Sequence, residues 1–204
     1  MSGLSKVDGM IGNPAFAINL VAQPPEETKA LLSDVQERIA HSLPRNAMFE
    51  CPVSSLHLSV FQFVHSRNAK LNNDTQVWEC VSKSLLSHID SAINEAMVCN
   101  LHGSSLHVSE SAIFLRFSES REIESLRSRL AGIASQTELN WNRPGIQHVS
   151  MFRYLKPIQL DRVRLAIDSI KIPPIEWEIT KLQLVRENLY PSLNFTEIQN
   201  NTLG

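Results

Sequence analysis

A nine-residue string that occurs twice, 91 residues apart, constrains the fold of this chain more than any other feature. Residues 56–64 read LHLSVFQFV and residues 147–155 read QHVSMFRYL. Both copies fit the pattern His-Φ-Ser-Φ-Phe-x-aromatic-Φ, in which Φ is an apolar aliphatic residue, and both follow a loop that contains a proline. A match of this length at a fixed spacing indicates a duplicated half-domain.

The extended match matters because the bare tripeptide His-x-Ser/Thr is common. It occurs four times in the chain, at His57, His102, His107 and His148. Only the copies at His57 and His148 stand in apolar runs rich in β-branched and aromatic residues, which are typical of buried strands. We therefore expect these two histidines to lie on the repeated strands.

Hydrophobic periodicity predicts alternating strands and helices. Residues 44–52 and 65–75 are predicted to be connectors, and the apolar phase slips by one residue after Ile179, which indicates a bulge or bend. The expected strands are 15–22, 56–64, 106–117, 146–155, 175–184 and a short one at 195–198. The expected helices are about 26–41, 77–93, 120–133 and 160–170.

The predicted order of elements gives a mixed, α+β fold class. No linker rich in proline and glycine divides the chain. We expect residues 1–13 to form a flexible N-terminal tail and residues 14–204 to form a single bilobal domain.

Strand alternation brings chemistry-bearing side chains onto one face of each repeat. In the first copy, His57, Ser59, Phe61 and Phe63 share a face; in the second, His148, Ser150, Phe152 and Tyr154 do. If the two strands lie side by side about a pseudo-twofold axis, two imidazoles and two hydroxyls meet in one cleft. One imidazole then serves as base and the other as acid, while the hydroxyls hold the phosphoryl group of a phosphodiester.

Composition excludes several other classes. Nineteen Lys+Arg against twenty-one Asp+Glu give a net charge of −2, which excludes a strongly basic surface for long duplex nucleic acid. No apolar run is long enough to span a membrane, and three cysteines without a CxxC motif predict neither a disulfide framework nor a zinc site. We expect a cytoplasmic, monomeric protein without metal or cofactor.

The paired His-Φ-Ser strands resemble those of the two-histidine (2H) phosphoesterase superfamily, which includes LigT-like 2′,5′ RNA ligases and cyclic nucleotide phosphodiesterases. The resemblance spans roughly residues 15–198. It implies a bilobal duplicated fold, with two antiparallel sheets facing a central cleft and helices packed outside. It also implies that His57 and His148 are the acid/base pair and that Ser59 and Ser150 bind phosphate.

Four further residues are candidate substrate contacts. LigT-like members often carry an arginine after the second motif, where this chain has Arg153, although simple alternation places it on the face opposite His148. Tyr154 offers a hydroxyl, and Phe61 and Trp141 are candidates for stacking on a base, with core packing as the alternative. His65, Arg67 and Lys70 form either a basic lid over phosphate or a solvated loop.

The leading hypothesis is a metal-independent phosphodiesterase that acts on a small nucleotide or an RNA end, with a 2′,3′-cyclic, 2′–5′ or cyclic nucleotide linkage. Two alternatives stay open. One is a module that binds a nucleotide or RNA without cleaving it, and the other is a 2′–5′ RNA ligase. The expected partner in each case is a nucleotide or a short RNA.

Overall fold

A computed structural model describes residues 3–65 and 71–204 of the chain. Within these ranges the chain forms nine strands and four helices. The strands are β1 (Pro14–Ala22), β2 (Met48–Glu50), β3 (Leu58–Val64), β4 (Cys99–Val108), β5 (Ala112–Phe117), β6 (His148–Tyr154), β7 (Ile175–Ile179), β8 (Lys181–Leu189) and β9 (Asn194–Thr202). The helices are α1 (Glu26–Ser42), α2 (Leu71–Asn94), α3 (Arg121–Ala134) and α4 (Leu160–Asp168).

All strand pairs are antiparallel, and the order across the curled sheet is β7-β4-β5-β6-β3-β1-β8-β9, with β2 paired to β6. The two repeats are the central strands β3 and β6, which are joined at the single pair Leu58 and Val149. We call the junction between β3 and β6 the seam. Four strands of this order lie on each side of it, and β2 is the ninth. The α+β class is confirmed; the two expected sheets are one continuous sheet that narrows to one residue pair at its centre.

Each helix buries an apolar stripe against the sheet. In α3, Ser120 is the N-cap because its hydroxyl accepts the N–H of Ile123 at 3.2 Å, and Ile123, Leu126 and Leu130 are buried below it. Helix α1, which follows β1, packs on β7 and α4 of the other half. Helix α3, which follows β5, packs on β3 and α2. The two halves therefore exchange helices across the seam.

Several predicted elements differ in detail. The single strand expected at 106–117 is a hairpin, because Ser109 accepts backbone N–H groups from Ser111 and Ala112 with its side chain and turns the chain between β4 and β5. The connector 44–52 contains the short strand β2. The phase slip after Ile179 is neither a bulge nor a mere bend, because Thr180 ends β7 on one half of the sheet and the chain enters β8 on the other half.

The described part of the predicted tail packs against the fold. The N–H of Ser5 donates to Ile158 and the N–H of Asp8 donates to Tyr154, at 2.8 and 2.9 Å. Ser5 and Asp8 are both buried. This N-terminal segment, residues 3–13, contributes to the interior through polar groups, which is why hydrophobic periodicity gives no sign of it.

We expect Gly103→Ala to destabilise the protein. A Cβ at this position of β4 would lie 2.9 Å from Cε1 of Phe117 and 3.1 Å from Cδ2 of Leu115, in the buried sheet. Overpacking of this kind costs about 1–3 kcal/mol of unfolding free energy. Gly132→Ala is the matched control: it adds a methyl group to α3 with no atom within 4 Å, and should stabilise by up to about 1 kcal/mol. Urea denaturation measures both, and equal stability of the two variants would contradict the close approach.

Candidate active site

Each repeated strand contains a bulge, and the residues after it face the opposite side of the sheet from the one that simple alternation predicts. Along β1, Leu20 and Val21 pair with Phe61 and Ser59, so Val60 is the additional residue. Along β5, Ile113 and Phe114 pair with Phe152 and Ser150, so Met151 is the additional residue. Val60 and Met151 occupy equivalent positions of the two repeats. The bulges therefore reset the alternation of both strands in the same way.

The phase change decides which side chains face the cleft. Beyond the bulge, Phe61 and Phe63 are completely buried and Gln62 is half-buried. In the second copy, Phe152 and Tyr154 are buried and Arg153 is half-buried. The expectation that each histidine shares a face with the aromatics four and six positions further on is therefore wrong.

The seam brings the four motif side chains together. Since Leu58 is opposite Val149, the antiparallel register places His57 opposite Ser150, and Ser59 opposite His148. All four line one cavity with a volume of about 400 Å³, a size typical of small-molecule sites.

Arg153 joins them in the cavity, and simple alternation was wrong about its face because of the bulge at Met151. Its Nη1 donates to Oδ2 of Asp8 at 3.2 Å, and its guanidinium lies 5.2 Å from the ring centre of Tyr190. The hydroxyl of Tyr190 donates to the same Asp8 oxygen at 2.9 Å. The N-terminal segment thus orients the one arginine among the described residues that line the cavity.

The other three candidate contacts lie elsewhere. Phe61 packs in the core, with its ring 4.9 Å from Phe63 and 5.8 Å from Trp141. Trp141 stacks on Phe61 at the edge of the core and is 36% exposed. Tyr154 is completely buried, and its hydroxyl donates to the carbonyl of Ser109 at 3.3 Å. His65 lines the cavity, while Arg67 and Lys70 lie outside the described residues.

Sequence reasoning missed several residues that line the cavity. Gln62 could have been found, because it is the equivalent of Arg153 at the repeat spacing. Phe114 on β5 packs its ring against the edge of His148, with 5.0 Å between ring centres, and a further stacked contact of 5.6 Å links it to His107. No local motif marks the remaining ones, which converge only in three dimensions: Asn19, Cys51, Ser55, Ser109, Ser111, Ala112, Asn142, Pro144, Gly145, Glu187, Tyr190, Pro191 and Ser192.

Both histidines favour the neutral form. Burial lowers the pKa of His148 to about 4; the Ile146 backbone opposes the shift, and the charges of His57, Arg153 and Arg127 add to it. Burial also lowers the pKa of His57. The carbonyl of Ser55 lies 2.8 Å from Nδ1 of His57, and because a carbonyl only accepts, Nδ1 carries the proton and Nε2 is the acceptor of the neutral ring. A neutral ring of this kind can take a proton from a substrate.

Burial also raises the pKa of two further acids in the cavity. Burial raises the pKa of Cys51 to about 11, so its thiol stays protonated at neutral pH and is a poor nucleophile. Burial also raises the pKa of Glu187, opposed by the N–H of Ser192, which donates to this carboxyl at 2.6 Å. The thiol of Cys51 is therefore not the reactive group of the cavity at neutral pH.

Two searches of the described residues, for a metal site and for a membrane-spanning helix, found neither. In residues 3–65 and 71–204, no three His, Cys, Asp or Glu side chains are grouped so that they could hold a metal ion. Over the same ranges, no helix combines the length and apolar character that crossing a membrane requires.

Comparison with known proteins shows what the fold is. Neither a protein-family model nor a curated protein sequence matches the chain. Among solved structures, E. coli LigT complexed with 3′-AMP is similar over 93% of this chain and 98% of its own, with a TM-score of 0.63 and 14% identity. The protein TT0787 of Thermus thermophilus gives a TM-score of 0.62 at 16% identity, over 91% of this chain and 97% of its own.

A structure described as a phosphoesterase gives a TM-score of 0.65 at 14% identity, over 92% of this chain and 98% of its own. The chain therefore has the LigT fold along nearly its whole length. The resemblance drawn from the repeated strands is confirmed for the fold.

We expect the imidazole of His148 to titrate near pH 4 in an NMR titration, and that of His57 below the ordinary value of about 6.5. Between pH 6.5 and 4, this histidine is protonated in the unfolded chain but neutral in the folded protein. The free energy of unfolding therefore falls as the pH is lowered through this window. Each pKa unit corresponds to about 1.4 kcal/mol. His148→Asn should flatten this decline; an unchanged decline, together with a midpoint near 6.5, would contradict the buried environment.

Proposed function

We propose that this protein is a metal-independent phosphodiesterase of the two-histidine superfamily, acting on a 2′,3′-cyclic, 2′–5′ or cyclic nucleotide linkage in a small nucleotide or an RNA end. The observation that carries the proposal is the convergence of His57, Ser59, His148 and Ser150 on one cavity, with Arg153 beside them. The fold of E. coli LigT, which was crystallised with 3′-AMP and with NADP+, supports a nucleotide as the ligand.

Two imidazoles provide the acid and the base of one hydrolysis. The neutral imidazole takes a proton from water while the water oxygen forms a bond to phosphorus. The bond between phosphorus and the leaving ester oxygen breaks, its electron pair goes to that oxygen, and the protonated imidazole donates the proton that completes a hydroxyl group. Each transfer contributes roughly 10²–10⁴-fold to the rate. Since the histidines supply both proton transfers, the reaction requires no metal.

The remaining groups suit the phosphoryl oxygens. Ser59 and Ser150 offer one hydroxyl donor from each side of the seam, and Arg153 adds a fixed positive charge. A charge held in place before the reaction stabilises the extra negative charge of the transition state without reorganisation. The guanidinium is already held by Asp8 and Tyr190, so its position does not depend on substrate.

The size of the cavity and the charge of the chain favour a short substrate. A cavity of about 400 Å³ accommodates a nucleotide, and the net charge of −2 gives little attraction for a long polyanion. The decisive screen incubates the protein, with and without EDTA, with 2′,3′-cyclic and 3′,5′-cyclic mononucleotides, cyclic dinucleotides, 2′–5′ oligoadenylates and short RNAs with defined 3′ ends. Chromatography that shows shorter or ring-opened products supports the proposal; binding without product indicates a binding module, and a longer RNA indicates a ligase.

We expect His57→Ala and His148→Ala each to lower kcat by more than about 10²-fold, because each removes one of two required proton transfers. His88→Ala is the matched control, since this histidine is exposed on α2. Steady-state kinetics with the best substrate of the screen measures the effect. Full activity of either cavity variant would remove the acid/base assignment.

The pH profile of kcat/KM should be bell-shaped with its maximum on the acidic side of pH 6.5. This quantity reports the ionisation of the free enzyme, in which burial lowers the pKa of both histidines, that of His148 to about 4. Above the window the acid is lost, and below it the base is protonated. A maximum above pH 8 would contradict the proposed roles.

A further inference from the structure

The two bulges are held by a pair of buried polar side chains. Nε of Arg127 donates to the carbonyl of Val60 at 3.0 Å, and Nε2 of Gln36 donates to the carbonyl of Met151 at 3.1 Å. Arg127 and Gln36 are separated by the same 91 residues as the two motifs, although they lie outside the repeated string. Both are completely buried. The duplication therefore extends to the residues that satisfy the bulged carbonyls.

Each of these side chains crosses the seam. Gln36 lies on α1, which follows the first strand of one half, and it reaches the motif strand of the other half. Arg127 lies on α3 of the second half and reaches the motif strand β3 of the first half. A bulge leaves its additional residue outside the regular ladder, so a buried carbonyl there needs a donor from elsewhere. For Val60 Arg127 is such a donor, whereas the carbonyl of Met151 accepts both from Gln36 and from the N–H of Cys51, at 3.1 and 3.0 Å. Nε2 of Gln36 also donates to the carbonyl of Cys51 at 2.7 Å, so it holds Cys51 and Met151 together.

Arg127 also contacts backbone on both sides of the seam. Its Nη2 donates to the carbonyl of Ser59 at 3.1 Å and to that of Ile146 at 3.2 Å. Ile146 stands two residues before His148, as Ser55 stands two residues before His57. The charge of Arg127 is balanced by Glu124, whose Oε1 lies 2.5 Å from Nη1. One guanidinium thus joins the backbone of both motifs.

We infer that Arg127 and Gln36 are positioning residues of the cleft. They hold the bulges that follow Ser59 and Ser150, of which the one at Met151 turns Arg153 into the cavity, and Arg127 also holds the carbonyl of Ser59. A charged side chain buried this deeply costs desolvation that an apolar one would avoid, and the four hydrogen bonds that Arg127 donates offset that cost. The consequence for catalysis rests on the proposed function, while the geometric consequence can be measured without turnover.

Arg127 also acts on the histidine electrostatically. The charged groups that affect His148 are His57, Arg153 and Arg127, and all three lower its pKa. Removal of the Arg127 charge should therefore raise the pKa of His148. Arg127→Lys keeps a positive charge but loses the several N–H donors of the guanidinium, so the pKa of His148 should rise less in this variant. Because loss of the charge alone raises this pKa, the titration reports the electrostatic effect of Arg127, and phosphate binding reports its positioning role.

The experiment compares Arg127→Met, Arg127→Lys and Gln36→Met with controls on the same helices, Arg121→Met and Asp34→Asn, which alter exposed residues. We expect the three buried variants to lower kcat at least tenfold with KM changed less than threefold, and to weaken binding of inorganic phosphate, followed by the imidazole NMR signals, at least fivefold. Arg127→Met should also move the His148 titration upward. The controls should match the unmodified protein in all readouts.

The outcomes separate this inference from the proposed function. If the unmodified protein cleaves nothing in the substrate panel, phosphate binding still decides the positioning role. If folded buried variants keep kcat, phosphate affinity and the titration, the positioning role is overturned while the phosphodiesterase proposal stands. Should Arg127→Met fail to fold, Arg127→Lys and Gln36→Met carry the same comparison, and unaltered phosphate binding in both overturns the inference.

Discussion

The site depends on one constraint: each motif strand has to face polar groups toward a cleft at one end and aromatic rings toward the core along the rest. Regular alternation would turn Phe61 and Tyr154 into the cleft and Arg153 away from it. The equivalent bulges at Val60 and Met151 resolve this conflict, and β3 has a second bulge at Phe63. Arg127 on α3 donates to the carbonyl of Val60, and the carbonyl of Met151 accepts both from Gln36 on α1 and from the N–H of Cys51.

Electrostatics follow from the same arrangement. The seam draws two imidazoles and an arginine into one enclosed space, where burial and mutual repulsion favour neutral rings. Asp8, on the N-terminal segment, pairs with Arg153 and offsets part of the positive charge. A bound phosphate would add a negative charge to this space and favour protonation of an imidazole.

The sequence predicts the parts of this structure that depend on local pattern. The α+β class, the helices and the convergence of His57, Ser59, His148 and Ser150 follow from periodicity and from the repeat. The faces of Phe61, Tyr154 and Arg153 do not, because a bulge is set by pairing with neighbouring strands and by donors distant in sequence. Contacts such as that between Asp8 and Arg153 join residues 145 positions apart, and no local pattern contains them.

The exchange of helices across the seam has a consequence for the history of the chain. A half that contained only one motif would leave its own helix without the sheet on which it packs, since α1 lies on strands of the second half and α3 on those of the first. Two copies of such a half would have to intertwine to bury their apolar surfaces. The present molecule thus has the architecture of a domain-swapped homodimer joined into one polypeptide, in which Gln36 of one half corresponds to Arg127 of the other.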